Sequence, residues 1–385
     1  MVALEVVFWV SAALIVWTQA GYGAALAAID RALPERARHP SHAAPRDELP
    51  HLSLIVAAHD EERVIAARVQ NAQALDYPPE RLEVIVACDG CSDGTAALAR
   101  TAGAHLVLEL PRAGKIRAQD AAVERARGEI VAFSDANSVW EAGAARALVA
   151  AFADRRVGYA CGQVTFVQSG GERRGANQEG VYWRYELALR ERESRLSSIT
   201  AGNGAIYATR RDAYIVVDPI MGHDLSLPFN MVKRGLRAVY VPGARASEKM
   251  VPSLAGEFAR KRRMMSHTWP ILLRGGMLSP RGYPPGYALM IVSHRLLRYL
   301  TPALHAVALA ANLALLALGA GPLYIVTLAL QLGLLAGAAL AGVLSARPLQ
   351  IARYYVLTTA SPAAGLWDWL RHGTPAVWEA AEGTR

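Results

Sequence analysis

The chain has 385 residues, 53% of them hydrophobic and only 19% charged, with a formal net charge of +8. That is too apolar for an ordinary soluble domain and too charged for a chain wholly immersed in lipid. The positive balance is mostly arginine and lacks an aromatic-interleaved basic motif, so it points to membrane-adjacent loops, and no nucleic-acid partner is expected.

Residues Val6–Ile29 carry no charge and include Trp9, Trp17 and Tyr22, a stretch long enough to cross a bilayer. It lacks the basic start of a signal peptide and exceeds the usual apolar core of one, so a retained transmembrane helix is expected over 4–29. Arg31, Arg36, Arg38 and Arg46 follow in a basic linker, 30–49. The positive-inside rule then puts the N-terminus outside and the next domain in the cytoplasm.

His51–Ala58 is a β-branched apolar run, hence a strand, and it stops at His59-Asp60-Glu61-Glu62. Val64–Leu75 has a helical pattern that Tyr77-Pro78-Pro79 breaks. Leu82–Ala87 is a second strand, closed by Cys88-Asp89-Gly90-Cys91-Ser92-Asp93-Gly94-Thr95. A helix to about Ala102 and a third strand, His105–Leu108, come next. Ala118–Arg127 reads as a helix ended by Gly128, and Ile130–Phe133 as a fourth strand running into Ser134-Asp135-Ala136-Asn137. Strands alternating with helices imply an α/β fold with a parallel, doubly wound sheet. Such crossovers gather the strand ends on one edge, so Asp60, Asp89 and Asp135 should lie close together.

Lys115, beside Gly114, is the only lysine before Lys233, and a flexible point charge in a loop suits a phosphate. Asp135 and Asn137, spaced i, i+2, suit a hard divalent cation, Mg²⁺ or Mn²⁺, on a diphosphate. Asn137 reads equally as a helix N-cap, Asp93 reads as a cap, and Asp89 reads either as a turn cap or as a ligand. The chain's three cysteines are Cys88, Cys91 and Cys161. The C-x-x-C of the first two is set aside as a redox or zinc motif, because Cys88 ends a strand, Asp89-Gly90 reads as a turn, and there is no second pair.

Further along, Gly202-Asn203-Gly204 precedes a strand expected at Ala205-Ile206-Tyr207, and glycine lets backbone approach a ligand. His223-Asp224 opens a helical stretch that Pro228 perturbs. Arg260-Lys261-Arg262-Arg263 suits either a diphosphate or anionic lipid head groups. Ser293–Leu300 looks amphipathic and reads as an interfacial helix within 287–299. Leu300–Leu344 is uncharged and is split by Gly319-Ala320-Gly321-Pro322 into spans at 300–319 and 322–344. Leu349–Trp367, interrupted by Arg353 and Pro362, reads as a further span within 349–369, before a tail at 370–385.

Taken in order, several segments resemble the nucleotide-sugar half of family 2 glycosyltransferases. They are Val56-Ala57-Ala58-His59-Asp60-Glu61-Glu62, Asp89–Thr95, Gly114-Lys115, Asp135-Ala136-Asn137, Tyr182-Trp183-Arg184-Tyr185-Glu186, Gly202–Tyr207, His223-Asp224 and Arg260–Arg263. The resemblance covers about residues 50 to 270. It implies a GT-A type doubly wound mixed sheet domain at 50–277, flanked by one N-terminal and two or three C-terminal transmembrane helices. It also implies an inverting transferase that moves a sugar from a UDP-sugar donor to a hydroxyl acceptor, a glycan or lipid-linked sugar, in exopolysaccharide or lipid-linked glycan synthesis. Such an enzyme would be a multi-pass protein of a bacterial-type inner membrane, in contact with its lipids, with the catalytic domain cytoplasmic.

By the same resemblance, Asp60 and Asp89 would hold the nucleoside, Asp89 by accepting the uracil imide N–H. Lys115 would meet phosphate, Asp135 and Asn137 would hold the cation, and Gly202 and Asn203 would lie beside the donor sugar. Asp224 would be the general base, and Arg260 and Arg263 would close over the diphosphate. Three departures stand out. Asn137 replaces an expected aspartate, His223 replaces an acidic residue, and Arg260 and Met264 stand where glutamine and tryptophan are usual. They leave open two alternatives, a transferase that adds one sugar and stops, and a catalytically silent nucleotide- or glycan-binding subunit of a secretion complex.

Overall fold

The computed structural model describes residues 1–34, 48–167, 178–249, 254–344 and 346–376, with side chains from 183 and 256 onward in the third and fourth segments. Arg36, Arg38 and Arg46 of the basic linker, the side chain of Tyr182 and the end of the tail lie outside the described residues. The chain divides into two compact units, one built from 30–252, 270–288 and the C-terminal residues, the other from 1–29, 253–269 and 289–373.

The first of these units holds an eight-stranded sheet. Its strands are β1 Leu52–Ala58, β2 Leu82–Asp89, β3 Leu106–Leu110, β4 Ile130–Asp135, β5 Val139–Trp140, β6 Val157–Val167, β7 Tyr207–Arg210 and β8 Arg237–Lys249. Their order is β3-β2-β1-β4-β7-β6-β8-β5. β1, β2, β3 and β4 run parallel, whereas β7 is antiparallel to both β4 and β6, so the sheet is mixed. Every residue of β1 and β2 is buried, as expected of parallel strands covered on both faces. The helices Ile65–Gln73, Thr95–Thr101 and Lys115–Arg125 supply that cover. The last begins three residues before the expected Ala118, because Gly114, at φ +99°, turns the chain directly into it.

The core behind β4 is aromatic. Phe133 stacks on Tyr207 with ring centroids 4.7 Å apart, and Tyr159 stacks on the other side of Tyr207 at 5.7 Å. His223, the first residue of helix His223–Lys233, is 2% exposed and sits between two tyrosines. Its Nδ1 is 2.9 Å from the Tyr207 hydroxyl and its Nε2 is 3.2 Å from the Tyr214 hydroxyl. Tyr214 donates to Asp120 Oδ1 at 2.7 Å, so it accepts from His223 Nε2–H, and Nδ1 accepts from Tyr207. Burial first, and the charge of Lys115 second, push the His223 pKa down to about 3.

In the other unit, three helices are long and apolar enough to cross a membrane: Val2–Ala32, Pro285–Ala317 and Pro322–Leu340. Phe8 packs against Tyr324, Ala308, Ala311 and Leu315, and Asn312 donates to Thr327 Oγ1 at 2.9 Å. The expected interfacial helix at 287–299 is not a separate element. A π-helical turn at Ile291–Leu296 joins it to the following span, and His294 and Arg295 are buried, whereas an interfacial helix keeps its charged face in water. His305 Nε2 lies 2.8 Å from the Tyr355 hydroxyl. The helix expected at 349–369 forms over Arg347–His372, but among the described residues it is not one of the three apolar spans. It packs on helix Leu254–Leu273 instead: Arg262 pairs with Asp368 (Nε to Oδ2, 2.6 Å), and Trp269 donates to the Pro362 carbonyl at 2.8 Å.

His223 gives a pH signature. Its folded pKa lies below the ordinary value of about 6.5, so below that pH the unfolded chain binds a proton that the fold refuses. Stability is therefore lost as pH falls from about 6.5 toward 3, by up to about 1.4 kcal/mol per pH unit. Thermal unfolding in detergent between about pH 6.5 and 5 should show a shallower decline for His223→Gln than for wild type. Parallel declines would mean that His223 does not titrate this way.

Candidate active site

The site is set by strand register. Ala57 pairs with Asp135 and Ala58 with Cys88, so the residues that follow β1, β2 and β4 emerge on one edge, where ligands of such sheets gather. Asp60 has φ +50°, the left-handed conformation that Asp and Asn tolerate best among residues with a side chain. Its Oδ1 accepts the Ser92 N–H at 2.8 Å, yet its side chain is 40% exposed. Asp60 thus clamps the loop after β2 and still presents a carboxylate to solvent.

Of the two readings of Asp89, turn brace and nucleoside ligand, the geometry shows the first. Asp89 is 1% exposed, and its oxygens accept the backbone N–H groups of Ala113 (2.6 Å) and Gly114 (3.0 Å). A buried carboxylate committed to two amides is a brace for the turn before Lys115, and this geometry argues against its reading a base edge. Asp93 is a cap as expected: its Oδ1 accepts the Thr95 N–H at 3.0 Å.

The braced turn delivers Lys115 to Asp135, and Nζ bonds Oδ1. Burial opposes the charge on Lys115, but Asp135, with Asp224 and Glu248 further off, outweighs it and raises the pKa. Asp135 and Asn137 are both half-buried, while Ala136 and Ser138 between and after them point inward. Glu248 comes from β8. Val139 pairs with Ser247 there, and the Ser138 hydroxyl donates to the Glu248 carboxylate. Glu248 thus brings a negative charge to Ser138, the residue after Asn137. Sequence reading did not find it, because β8 carries no motif and its register with β5 appears only in the fold.

The Gly202-Asn203-Gly204 loop lies over the Lys115–Asp135 pair. A Cβ on Gly204 would stand 3.5 Å from Lys115 Nζ and 3.8 Å from Asp135 Oδ2, so this glycine, more than the expected Gly202, faces the charges. Gly202 has its own necessity: a Cβ there would fall 2.0 Å from the Tyr159 hydroxyl. Asn203, expected at the donor sugar, is 9% exposed and consumed by backbone. Its Nδ2 donates to Gly162 O at 2.7 Å, and its Oδ1 accepts from Ile206 N at 2.9 Å and Ala205 N at 3.2 Å. Those two amides are lost to the sheet ladder, which is why β7 starts at Tyr207 and not at Ala205.

Pro228 links this loop to Asp224. Proline has no N–H, so the carbonyl four residues back, that of Asp224, lacks its intrahelical partner. It accepts the Gly202 N–H instead, at 2.7 Å. Asp224 itself is half-buried in the first turn of its helix, next to the inward-facing His223. Its carboxylate folds back over Gly222, where a Cβ would stand 2.6 Å from Oδ1.

Arg260 and Arg263 belong to helix Leu254–Leu273, in the other unit from these carboxylates. Arg260 is held by Glu257 through two 3.0 Å bonds, and Lys261 meets the Tyr354 hydroxyl at 3.0 Å. A divalent cation fits the sheet edge by donor chemistry: Asp135 and Asn137 offer the hard oxygens that Mg²⁺ and Mn²⁺ prefer. By charge, Asp135, Asp224 and Glu248 stand against Lys115, leaving two negative charges over.

The comparisons with known proteins agree with this geometry. Residues 50–266, more than half of the chain, match the family described as glycosyltransferase like family 2. A probable glycosyltransferase of Bacillus subtilis (strain 168), YdaM, is 30% identical over 102 residues, which cover 24% of this chain and 24% of that protein. The chain thus matches only about a quarter of that relative's length. The mannosyltransferase PcManGT from Pyrobaculum calidifontis, solved in complex with GDP-Man and Mn²⁺, superposes with a TM-score of 0.73 over 96% of this chain and 99% of that one, at 24% identity. At that identity the likeness speaks for the fold, a GT-A fold with apolar helices at both ends. With the match of residues 50–266, the chain belongs to glycosyltransferase family 2.

Proposed function

We propose that the protein is a membrane-bound, inverting glycosyltransferase that uses a nucleoside diphosphate sugar and a divalent cation. The observation that carries this reading is the convergence of Asp135 and Asp224 on Lys115 at the carboxyl edge of the sheet. Lys115, with Gly204 leaving room above it, suits the diphosphate. Asp135 and Asn137 would hold Mg²⁺ or Mn²⁺, which supplies charge stabilisation for the departing diphosphate. Asp224 acts as general base. The acceptor hydroxyl attacks the anomeric carbon from the face opposite the diphosphate, a C–O bond forms as the sugar–phosphate bond breaks, and Asp224 takes the hydroxyl proton.

The donor is read at Asp60, whose half-exposed carboxylate accepts an N–H of the base. Uracil offers one such edge and guanine another, so a UDP-sugar remains our reading and GDP-mannose, the ligand named for the Pyrobaculum protein, is its direct competitor. The acceptor is a glycan or lipid-linked sugar at the inner leaflet of a bacterial-type membrane. The support for this placement is the three apolar helices and the arginines after the first of them.

Three outcomes are expected. Asp224→Asn should lower transfer by about 10²–10⁴-fold while leaving donor affinity within a factor of about three, measured by product formation and by calorimetric nucleotide binding. Normal turnover would remove Asp224 from the role of base. Asp135→Ala should abolish the dependence of transfer on added Mn²⁺ or Mg²⁺, whereas activity still titrating with metal would place the cation elsewhere. A panel of UDP- and GDP-sugars, with the anomeric configuration of the product read by NMR, should give an inverted product from a UDP-sugar. Turnover of GDP-mannose alone would correct the base.

A further inference from the structure

Away from Lys115, at the ends of β1 and β2, His59, Asp60 and Cys91 bring an imidazole nitrogen, a carboxylate oxygen and a thiol sulfur within 4.8 Å of one another. We infer that these three side chains form a second cation site, for a thiophilic divalent ion of the zinc class, distinct from the hard-cation site at Asp135.

His59 Nδ1 lies 2.7 Å from the Asp89 carbonyl oxygen and 3.2 Å from Arg112 Nη1. The carbonyl can only accept and the guanidinium can only donate, so the two contacts compete for Nδ1; the shorter one, Nδ1–H on the carbonyl, leaves Nε2 its lone pair. A ligating histidine anchored through its other nitrogen by a backbone carbonyl is the usual outer support of a metal site. Nε2 stands 3.6 Å from Asp60 Oδ2. Tetrahedral zinc with bonds of about 2.0–2.3 Å sets its ligand atoms about 3.3–3.6 Å apart, so this edge is nearly formed, and the sulfur, within 4.8 Å of both atoms, would close in on binding.

The other contacts of the ligating atoms are long ones. Ser92 N–H holds Asp60 Oδ1 at 2.8 Å, and the Ser92 hydroxyl lies 3.4 Å from Oδ1 and 3.3 Å from Oδ2, a contact that a metal on Oδ2 would displace. The Cys91 thiol makes one long contact, 3.5 Å, to the Ala58 carbonyl, which a thiolate on a metal would release. Arg112 is exposed, and its Nη1 is 3.2 Å from Nδ1, on the far side of the ring from Nε2. A thiolate and a carboxylate together match the charge of a divalent cation, and mixed N, O and S donors favour zinc over magnesium. Three protein ligands leave a fourth position for water or for an atom of a bound molecule.

The test uses the full-length protein in detergent, stripped with a chelator and titrated with Co²⁺, a spectroscopic stand-in for zinc. Wild type should develop a near-ultraviolet thiolate-to-cobalt charge-transfer band that saturates at about one equivalent, and Zn²⁺ but not Mg²⁺ should abolish it. Cys91→Ser should lose the band while keeping the wild-type thermal midpoint and near-ultraviolet circular dichroism. His59→Asn should weaken Co²⁺ at least about 10-fold, the loss that removing even an outer partner of a ligand produces. Cys88→Ser and Asp135→Ala should both retain the band. Absence of the band in wild type, its persistence in Cys91→Ser, or its loss in Asp135→Ala would overturn the site. The site shares Asp60 with the proposed reading of the donor base, but its readout needs neither donor nor transfer, so failure of the cobalt band and failure of sugar transfer are told apart.

Discussion

The Lys115–Asp135 ion pair is the constraint around which the edge of the sheet is organised. A lysine whose burial opposes its charge is kept charged by Asp135, with Asp224 and Glu248 adding to the effect. Three separate pieces of chain exist at this edge to hold that lysine and its surroundings. Asp89 braces the turn that launches it, Gly204 makes room above it, and β8 brings Glu248 to its side. Buried like charges are tolerated only when a counter-charge is fixed among them. The excess of carboxylate at this edge favours a divalent cation on electrostatic grounds, and only that cation, together with Lys115, would offset the charge of a diphosphate.

The parallel half of the sheet was legible because burial on both faces writes itself into the residues. Ile55, Val56, Val84, Ile85 and Val131 form unbroken apolar runs, and each run ends in the polar residue that leaves the core. Asp224 and Lys115 were legible through their ordered company and not individually. What could not be read was which polar atoms the backbone would claim. Asp89 and Asn203 have the chemistry of ligands, but the amides of Ala113, Gly114, Ala205 and Ile206 take their oxygens. Competition between ligand and backbone is decided by turn geometry, which residue type alone does not disclose.

The same limit applies in the other direction. Cys91 comes within 4.8 Å of His59 and Asp60 from the end of a different strand, a neighbourhood that the β1–β2 register creates and the C-x-x-C spacing does not encode. His223, a departure from the acidic residue expected beside the base, is accounted for by the core: it bridges two tyrosine hydroxyls and carries no charge toward Asp224. That removes one of the three grounds for a silent subunit. Asn137 is also less anomalous with Glu248 next to it, bonded to Ser138.

The bond between Gly202 N–H and the Asp224 carbonyl joins two functional segments through main chain alone. No side chain at either end takes part, so no ordinary side-chain exchange at either residue removes its donor or acceptor. The lever is Pro228, a residue outside the site that keeps the carbonyl from being claimed within its own helix. The spacing between the loop and the base is therefore encoded one helical turn away, by a ring whose contribution is the hydrogen it lacks.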